Sequence, residues 1–303
     1  MGAEDKNKEK ELGFGKSSGD SNVRFINKDG SINVLRKGLP LIRPYDTYHS
    51  LITIGWTKFL GLVACAFFLV NFLFTLVYYF LGSAVISEVT QIKGVQRFWD
   101  VFFFSVQTMT TVGYGAMSPI SSAAKTISTV ESLIGLLGIA LMTGVLYGRF
   151  SRPQTKIKYS KNVLIAPYQE GKALMFKMAN QRSSKLIEAE VTVVFSCTKN
   201  GKQVFEKLPL ELEKINFFAL SWTVVHPIDD DSPLKGFNPE DDAEVVILVK
   251  AFDDTFSQTV YSRMSYVSAD FVWNAKFESS IKQEDGQMMI DLGKLNNYIK
   301  QGK

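Results

Sequence analysis

The sequence predicts a chain of two unlike parts. A helical membrane part, with two spanning helices and a re-entrant helix between them, precedes an all-β sandwich in water. Three observations predict this. Two apolar segments, 59–81 and 122–147, are each long enough to cross a bilayer. Thr110-Thr111-Val112-Gly113-Tyr114-Gly115 lies between them, after an aromatic-rich stretch too short to span. From Lys156 onward the hydrophobic period changes to two and turn signals recur.

The four stretches expected along the chain are a cytoplasmic N-terminal segment (1–43), an interfacial slide helix (44–55), a transmembrane pore part (56–153) and the β-sandwich (154–303). Residues 1–20 are Lys, Glu, Gly and Ser with few apolar side chains, a composition expected to be disordered. Val23, Phe25 and Ile26, then Asp29-Gly30, then Ile32, Val34 and Leu35 predict a short strand that pairs with the later domain. In 44–55, Asp46 suits an N-cap, and Tyr48, Leu51 and Ile52 make one apolar face, as in a helix lying in the interface.

The first span is flanked by Trp56 and by Tyr78-Tyr79, which fit the aromatic belts. Residues 83–97 read as a polar outer loop. Residues 98–109, with Trp99, Phe102, Phe103 and Phe104, fit a pore helix buried in protein. Met117-Ser118-Pro119 leads the chain back outward. Arg36, Lys37, Arg43 and Lys58 precede the first span, and Arg149, Arg152, Lys156, Lys158 and Lys161 follow the second. Lys93 and Arg97 are the basic residues between them. Both termini are therefore expected in the cytoplasm.

The hexapeptide carries the chemistry. A K⁺ filter replaces the ion's water shell with rings of backbone carbonyls from four copies of one loop. Thr111, Val112, Gly113 and Tyr114 supply such carbonyls, and the Thr111 hydroxyl an innermost ring. Gly113 and Gly115 admit backbone angles other residues avoid, while Val112 and Tyr114 wedge the loop in place. The site sits at a helix C-terminus, where the dipole favours cations. K⁺ is then the permeant ligand, with no resident cofactor. Behind the filter, Glu131 is a carboxylate inside an apolar helix and needs a partner; Gln107 is the candidate, with Thr110 beside it.

Ile139, Thr143 and Tyr147 are spaced by four and share a helix face, which by periodicity alone reads as packing. Gly135, Gly138 and Gly144 are close-packing or bending positions. Arg149, Arg152 and Lys156 form a juxtamembrane basic cluster of the kind that attracts anionic headgroups.

In the tail, Ile187, Ala189, Val191, Val193, Phe195 and Cys197 alternate with polar residues, although Val194 interrupts the pattern. Asn200-Gly201 predicts a hairpin. Further strands are expected at 174–178, 217–226, 244–252 and 259–266, a loop at 227–239, and a helix at 291–299. Cys65 and Cys197 lack metal or disulfide spacing. His49 and His226 belong to no triad or metal motif, and neither a Walker loop nor GxGxxG occurs. No catalytic residue is assigned and an enzyme is not expected. A net charge of +4, with both signs interspersed over the tail, gives no reason to expect nucleic acid as partner.

Over roughly residues 44–299 the chain resembles the prokaryotic inward-rectifier potassium channels. The filter carries the resemblance, together with Tyr147-Gly148-Arg149-Phe150-Ser151-Arg152-Pro153 at the inner-helix end, His226-Pro227-Ile228-Asp229 with Ser232-Pro233-Leu234, and Trp273 with Phe277. It implies a homotetramer in the plasma (inner) membrane of a bacterium, with an immunoglobulin-like cytoplasmic sandwich. It puts Ile139, Thr143 and Tyr147 on the pore, with Tyr147 as gate, and Gly135 and Gly144 at hinges. It also implies modulation by anionic lipids and internal Mg²⁺ or polyamines as blockers. Isoleucine at 139, where strong rectifiers carry an acid, implies weak rectification.

Three positions depart from the family. Gln107 stands where a Glu is frequent. Ala116 and Met117 follow the filter where a charge is common. Residues 251–256 read Ala-Phe-Asp-Asp-Thr-Phe where a constriction loop often contains Gly. The rival reading is a membrane-anchored sensory or binding module whose functional part is the sandwich.

Overall fold

A computed structural model gives the fold. It describes residues 24, 26–28, 30–35, 38, 44–82, 84–90, 94–152, 155–182, 185–199, 202–238, 242–284 and 286–301. The expectations for residues 1–20 and for Val23, Phe25, Asp29, Arg36, Lys37, Arg43, Lys93, Pro153, Asn200 and Gly201 lie outside the described residues. The chain divides into two units, Leu39–Arg152 and Met1–Gly38 with Pro153–Lys303.

Among the described residues the first unit has four helices: α1 (Pro44–Thr53), α2 (Trp56–Leu81), α3 (Val95–Met109) and α4 (Ser122–Phe150). Pro44 opens α1, a position that suits its fixed φ and missing N–H, so Asp46 lies inside the first turn and is not the N-cap. Gly55 separates α1 from α2. The two long helices are apolar and long enough to cross a membrane. Helix α3 starts at Val95, so Arg97 belongs to its first turn and not to the outer loop. Ser121 caps α4, its hydroxyl accepting from the Ala124 amide at 3.1 Å.

The second unit is a sandwich built from β1 (Ile157–Tyr159), β2 (Val163–Tyr168), β3 (Gly171–Asn180), β4 (Leu186–Lys199), β5 (Lys202–Leu208), β6 (Lys214–Phe218), β7 (Ser221–Ile228), β8 (Ala243–Asp253), β9 (Gln258–Val267), β10 (Phe271–Trp273), β11 (Ala275–Phe277), β12 (Ile281–Glu284), β13 (Gln287–Ile290) and β14 (Tyr298–Lys300). One sheet runs β1-β3-β2-β10 with β7 also on β3. The other runs β5-β4-β8-β9 with β6 also on β4. Phe176 and Met178 from the first sheet meet Val193, Phe195, Val245 and Ile247 from the second, all buried in one apolar core.

Three expectations change. The stretch 217–226 is two strands in different sheets, β6 on β4 and β7 on β3. Residues 291–299 are not an α-helix: the Asp291 carboxylate accepts from the Gly293 amide at 2.9 Å and starts a short 3₁₀ turn, Leu292–Asn296, which gives way to β14. In β4, Leu186 and not Ile187 points inward. A bulge between Ile187 and Glu190, with Glu188 at φ 49°, adds one residue and reverses the phase.

Val194, the exception to the alternation, is buried on the outer face of its sheet with Phe205, Val246 and Ile26. Ile26 therefore reaches the later domain through side-chain packing; its backbone bridge is local, to Ile32. Arg24 and Lys28 pair with Asp270 at 3.4 and 2.8 Å and fix the same segment.

Candidate functional site

The loop after α3 is built from the helix end outward. The Gln107 carbonyl accepts from the amides of Val112 at 3.0 Å and Gly113 at 3.4 Å, and the Thr110 hydroxyl donates to the Val106 carbonyl at 2.7 Å. The chain thus turns back over the last turn of α3. Thr111, Gly113 and Gly115 take φ of 61°, 52° and 87°, while Val112 and Tyr114 between them do not have positive φ. In a strand, successive carbonyls point to opposite sides. Alternating left- and right-handed residues instead bring them to one side. Thr111 is the residue the sequence did not reveal as left-handed: a threonine there carries a cost of about 1–2 kcal/mol, held by the bonds on either side of it. Residues 111–116 are all exposed in the single chain.

The outward limb is clasped to the loop after α2. The Ser87 amide donates to the Ser118 carbonyl at 2.9 Å, the Ser118 amide to the Ser87 hydroxyl at 2.8 Å, and the Ile120 amide to the Val85 carbonyl at 2.8 Å. Met117 packs against Tyr78, Ile86, Val101 and Phe104. With Ala116 and Met117 after the filter in place of a charge, this limb is braced by hydrogen bonds to the loop and by apolar packing.

Behind α3 lies a buried polar cluster. Glu131 is fully buried and bonded to the hydroxyls of Tyr78, at 2.7 Å, and Ser105. Its partners are these hydroxyls and not Gln107. Asn71 donates to the Phe67 carbonyl at 2.8 Å and lies 3.1 Å from the Met109 sulfur. Asn71, Thr75 and Ser105 were not singled out from sequence, and Tyr78, expected in the aromatic belt, is fully buried with its hydroxyl on Glu131. The signal available was that polar residues inside apolar spans find one another. Arg97 is buried too, bonded to the carbonyls of Gly82 and Tyr79, with its guanidinium 5.2 Å from the Tyr79 ring centre.

Two long apolar helices, a re-entrant helix between them, and a TTVGYG loop whose backbone alternates in hand together specify one family. Models of the inward rectifier potassium channel transmembrane domain and C-terminal domain match residues 26–153 and 157–301. The chain belongs to the inward rectifier potassium channel family. Its relatives include the inward rectifier potassium channel Kirbac3.1 of Paramagnetospirillum magnetotacticum, 35% identical over 90% of this chain and 95% of the relative. They also include ATP-sensitive inward rectifier potassium channel 12 of Gallus gallus, 26% identical over 92% of this chain and 69% of that protein. Channel 11 of Oryctolagus cuniculus is 24% identical over 92% and 78%.

In this inward rectifier, Glu131, Gly135, Ile139, Thr143 and Tyr147 form one i, i+4 row on α4. The row begins buried against α3. A Cβ on Gly135 would stand 2.1 Å from the Met109 carbonyl oxygen, so this glycine lets α4 touch the end of the pore helix. Below it the row emerges: Ile139 and Thr143 are exposed, and Tyr147 is 74% exposed. Gly138 and Gly144 have no close neighbours.

Arg149 departs from the free basic cluster expected of it. Its guanidinium donates to the carbonyls of Leu51 and, at 2.8 Å, Ile54, and lies 4.5 Å from the Trp56 ring and 4.3 Å from the Phe59 ring. It joins the end of the inner helix to the elbow between α1 and α2. Gly148 sits beneath the Tyr48 hydroxyl at the same junction. Arg152 and Lys156 are exposed. Residues 251–256 form the end of β8 and its turn, where the Asp253 carboxylate accepts from the amides of Thr255 and Phe256 at 3.0 and 3.3 Å.

Proposed function

We propose that four copies of this chain form a K⁺-selective pore in the plasma membrane of a bacterium, with both termini in the cytoplasm. Potassium moves passively down its gradient. The observation that carries this reading is the positive φ at Thr111, Gly113 and Gly115, alternating with Val112 and Tyr114, just past the C-terminus of the pore helix; an alternation of this kind supports carbonyls of residues 111–114 that face one side. Those carbonyls, with the Thr111 hydroxyl, substitute for the ion's water shell. No hydrogen bond among the described residues takes any of the four.

Gln107, Thr110 and Glu131 support the filter, the first through its backbone carbonyl. Ile139, Thr143 and Tyr147 line the conduction path below it, and four Tyr147 rings narrow its cytoplasmic end enough to exclude water when closed. Gly135 acts as a packing contact and Gly144 as the bending point. Isoleucine at 139 gives Mg²⁺ and polyamines no charge to bind, so cavity-driven rectification is weak. Anionic lipid is sensed by Arg152 and Lys156, while Arg149 transmits movement of the slide helix to the inner helix. Uptake of radioactive rubidium by liposomes holding the purified protein, blocked by Ba²⁺, tests the whole reading. A well-folded preparation without such uptake would favour the anchored-sensor alternative.

A further inference from the structure

The hydrogens of the cluster behind the pore helix can be counted. The Asn71 amide nitrogen faces the Phe67 carbonyl at 2.8 Å and the Met109 sulfur at 3.1 Å, both acceptors. This fixes the amide orientation and turns Oδ1 toward Ser105, 3.2 Å away. Ser105 Oγ also contacts Glu131 Oε1. The other carboxyl oxygen, Oε2, accepts from the Tyr78 hydroxyl at 2.7 Å. Asn71, Tyr78, Ser105 and Glu131 are all fully buried.

Serine has one hydrogen to give. With Glu131 ionised, Ser105 faces three acceptors, Glu131 Oε1, Asn71 Oδ1 and, at 3.3 Å, the Asn71 backbone carbonyl, which already accepts from the Thr75 hydroxyl at 2.7 Å. It satisfies one of them, so either the carboxylate or the Asn71 side-chain carbonyl faces a bare oxygen in a buried site. With a proton on Oε1 every group is matched: Tyr78 to Oε2, Oε1–H to Ser105, and Ser105 to Asn71. Placing the proton on Oε2 instead would leave the Tyr78 hydrogen without an acceptor.

Among the described residues no cation offsets a charge on Glu131. Of the charged groups on the packed elements, Arg97 is bonded to Gly82 and Tyr79, and Asp100 to Thr90 and Gln96. Arg149 is bonded to Leu51 and Ile54, and Lys58 and Lys125 are exposed. Tyr78 is the titratable group bonded to the carboxyl.

We infer that Glu131 is held as the neutral acid and donates its proton to Ser105, closing a hydrogen-bond chain from α4 through α3 to Asn71 on α2. The chain ends beside Met109, the last residue before the filter turn. Its consequence for conduction rests on the potassium-channel reading; the protonation does not. Removing the proton at alkaline pH leaves a buried charge and an unmatched oxygen, which weakens the hold of α3 on its neighbours. Potassium flux then falls reversibly, by about tenfold or more for an unsatisfied buried group.

The test is infrared spectroscopy of the full-length protein in liposomes, with rubidium flux measured on the same preparation over pH. The wild type shows the carbonyl stretch of a buried carboxylic acid at neutral pH, lost in step with flux as pH rises. Glu131→Gln, whose amide supplies the same hydrogen, removes the band and the alkaline loss of flux. Should that variant fail to fold, Tyr78→Phe serves, because removing the bond to Oε2 shifts the band. A conducting wild type without the band, or a band unmoved by both variants, overturns the inference. A preparation with the band and no rubidium flux overturns the channel reading and leaves the protonation standing.

Discussion

The two units of the chain differ in what they expose and in what joins their elements. The sandwich keeps Phe176, Phe195, Ile247 and their neighbours inside, in one apolar core. The membrane unit exposes Leu60, Phe68, Leu136 and Leu141 and buries Asn71, Thr75, Arg97, Ser105 and Glu131. The solvent accounts for the difference. In water, removing apolar surface drives folding. In hydrocarbon that drive vanishes between helices, and close packing with polar contacts replaces it. A carboxyl group in the membrane unit therefore does the joining that a phenylalanine does in the sandwich, and a glycine contact lets two helices meet where side chains would hold them apart.

The largest effect expected from breaking this contrast is at the filter. Gly113 has φ 52° and no close neighbours, so alanine there meets no crowding but carries the left-handed cost of about 1–2 kcal/mol in every copy. Gly113→Ala is expected to abolish selectivity for K⁺ over Na⁺ in liposome flux, while thermal unfolding of the sandwich stays where it was. Unchanged selectivity would take Gly113 out of the filter.

Next in size is the packing of α4 on α3. Gly135→Ala drives a methyl into the Met109 carbonyl, and overpacking of this kind costs about 1–3 kcal/mol. Lower yield of the assembled channel and reduced flux are expected, read by size-exclusion chromatography and rubidium uptake. Gly138→Ala, with open space around it, is the control and should assemble normally. Equal behaviour of the two variants would show that the close approach at Gly135 carries no weight.

These positions also show how far the sequence could be read. Spans, pore helix and the long strands β3, β4, β8 and β9 follow from length and period, because each is repeated over many residues, whereas the short strands β1, β2 and β10 to β14 carry too few residues to show one. What else was missed depends on one residue acting against its neighbours. Glu188 adds a bulge and reverses the phase of β4; Thr111 takes a left-handed turn that no threonine announces; Ala219-Leu220 ends one strand and sends the next into the other sheet. At the site, a carboxylate in a span demanded a partner, but choosing Ser105 and Tyr78 over Gln107 needs the helix rotations that only packing sets. Arg149 read as one of several free basic residues because the sequence does not place the carbonyls of Leu51 and Ile54 beside it.

That last distinction gives a smaller, sharper test. Arg149→Ala removes two hydrogen bonds and two ring contacts at the helix elbow. It is expected to change basal rubidium flux several-fold while the fractional response to anionic lipid is kept. Neutralising Arg152 and Lys156 together should do the reverse: flux without lipid is preserved and the response is blunted, at about 1 kcal/mol per residue. If Arg149→Ala alone erases the lipid response, the residue binds headgroups after all.

The smallest effect belongs to the sandwich, where a polar group is buried in the manner of the membrane unit. His226 is buried on β7. Its Nδ1 lies 2.6 Å from the Pro209 carbonyl, which can only accept, so Nδ1 carries the hydrogen. Nε2 then accepts from the Ser232 hydroxyl at 2.8 Å, and that hydroxyl oxygen in turn accepts from the Leu234 amide at 3.2 Å. The neutral ring thus organises the loop from Asp229 to Leu234. Burial holds its pKa below the usual histidine value, outweighing the Pro209 bond and the nearby Asp229 that favour the charged ring. A lowered folded pKa means that the unfolded chain binds the proton more readily. The stability from the neutral ring is complete above about pH 6.5, the unfolded value, and is lost as pH falls toward the folded one. Hydrogen exchange in β7 and this loop, corrected for its intrinsic rate, should therefore quicken as pH falls below about 6.5. His226→Gln retains a donor and an acceptor but does not titrate, and should flatten that dependence. A slope as steep in the variant as in the wild type would place the acid sensitivity elsewhere, and His49, in the membrane unit, would not account for a change confined to β7.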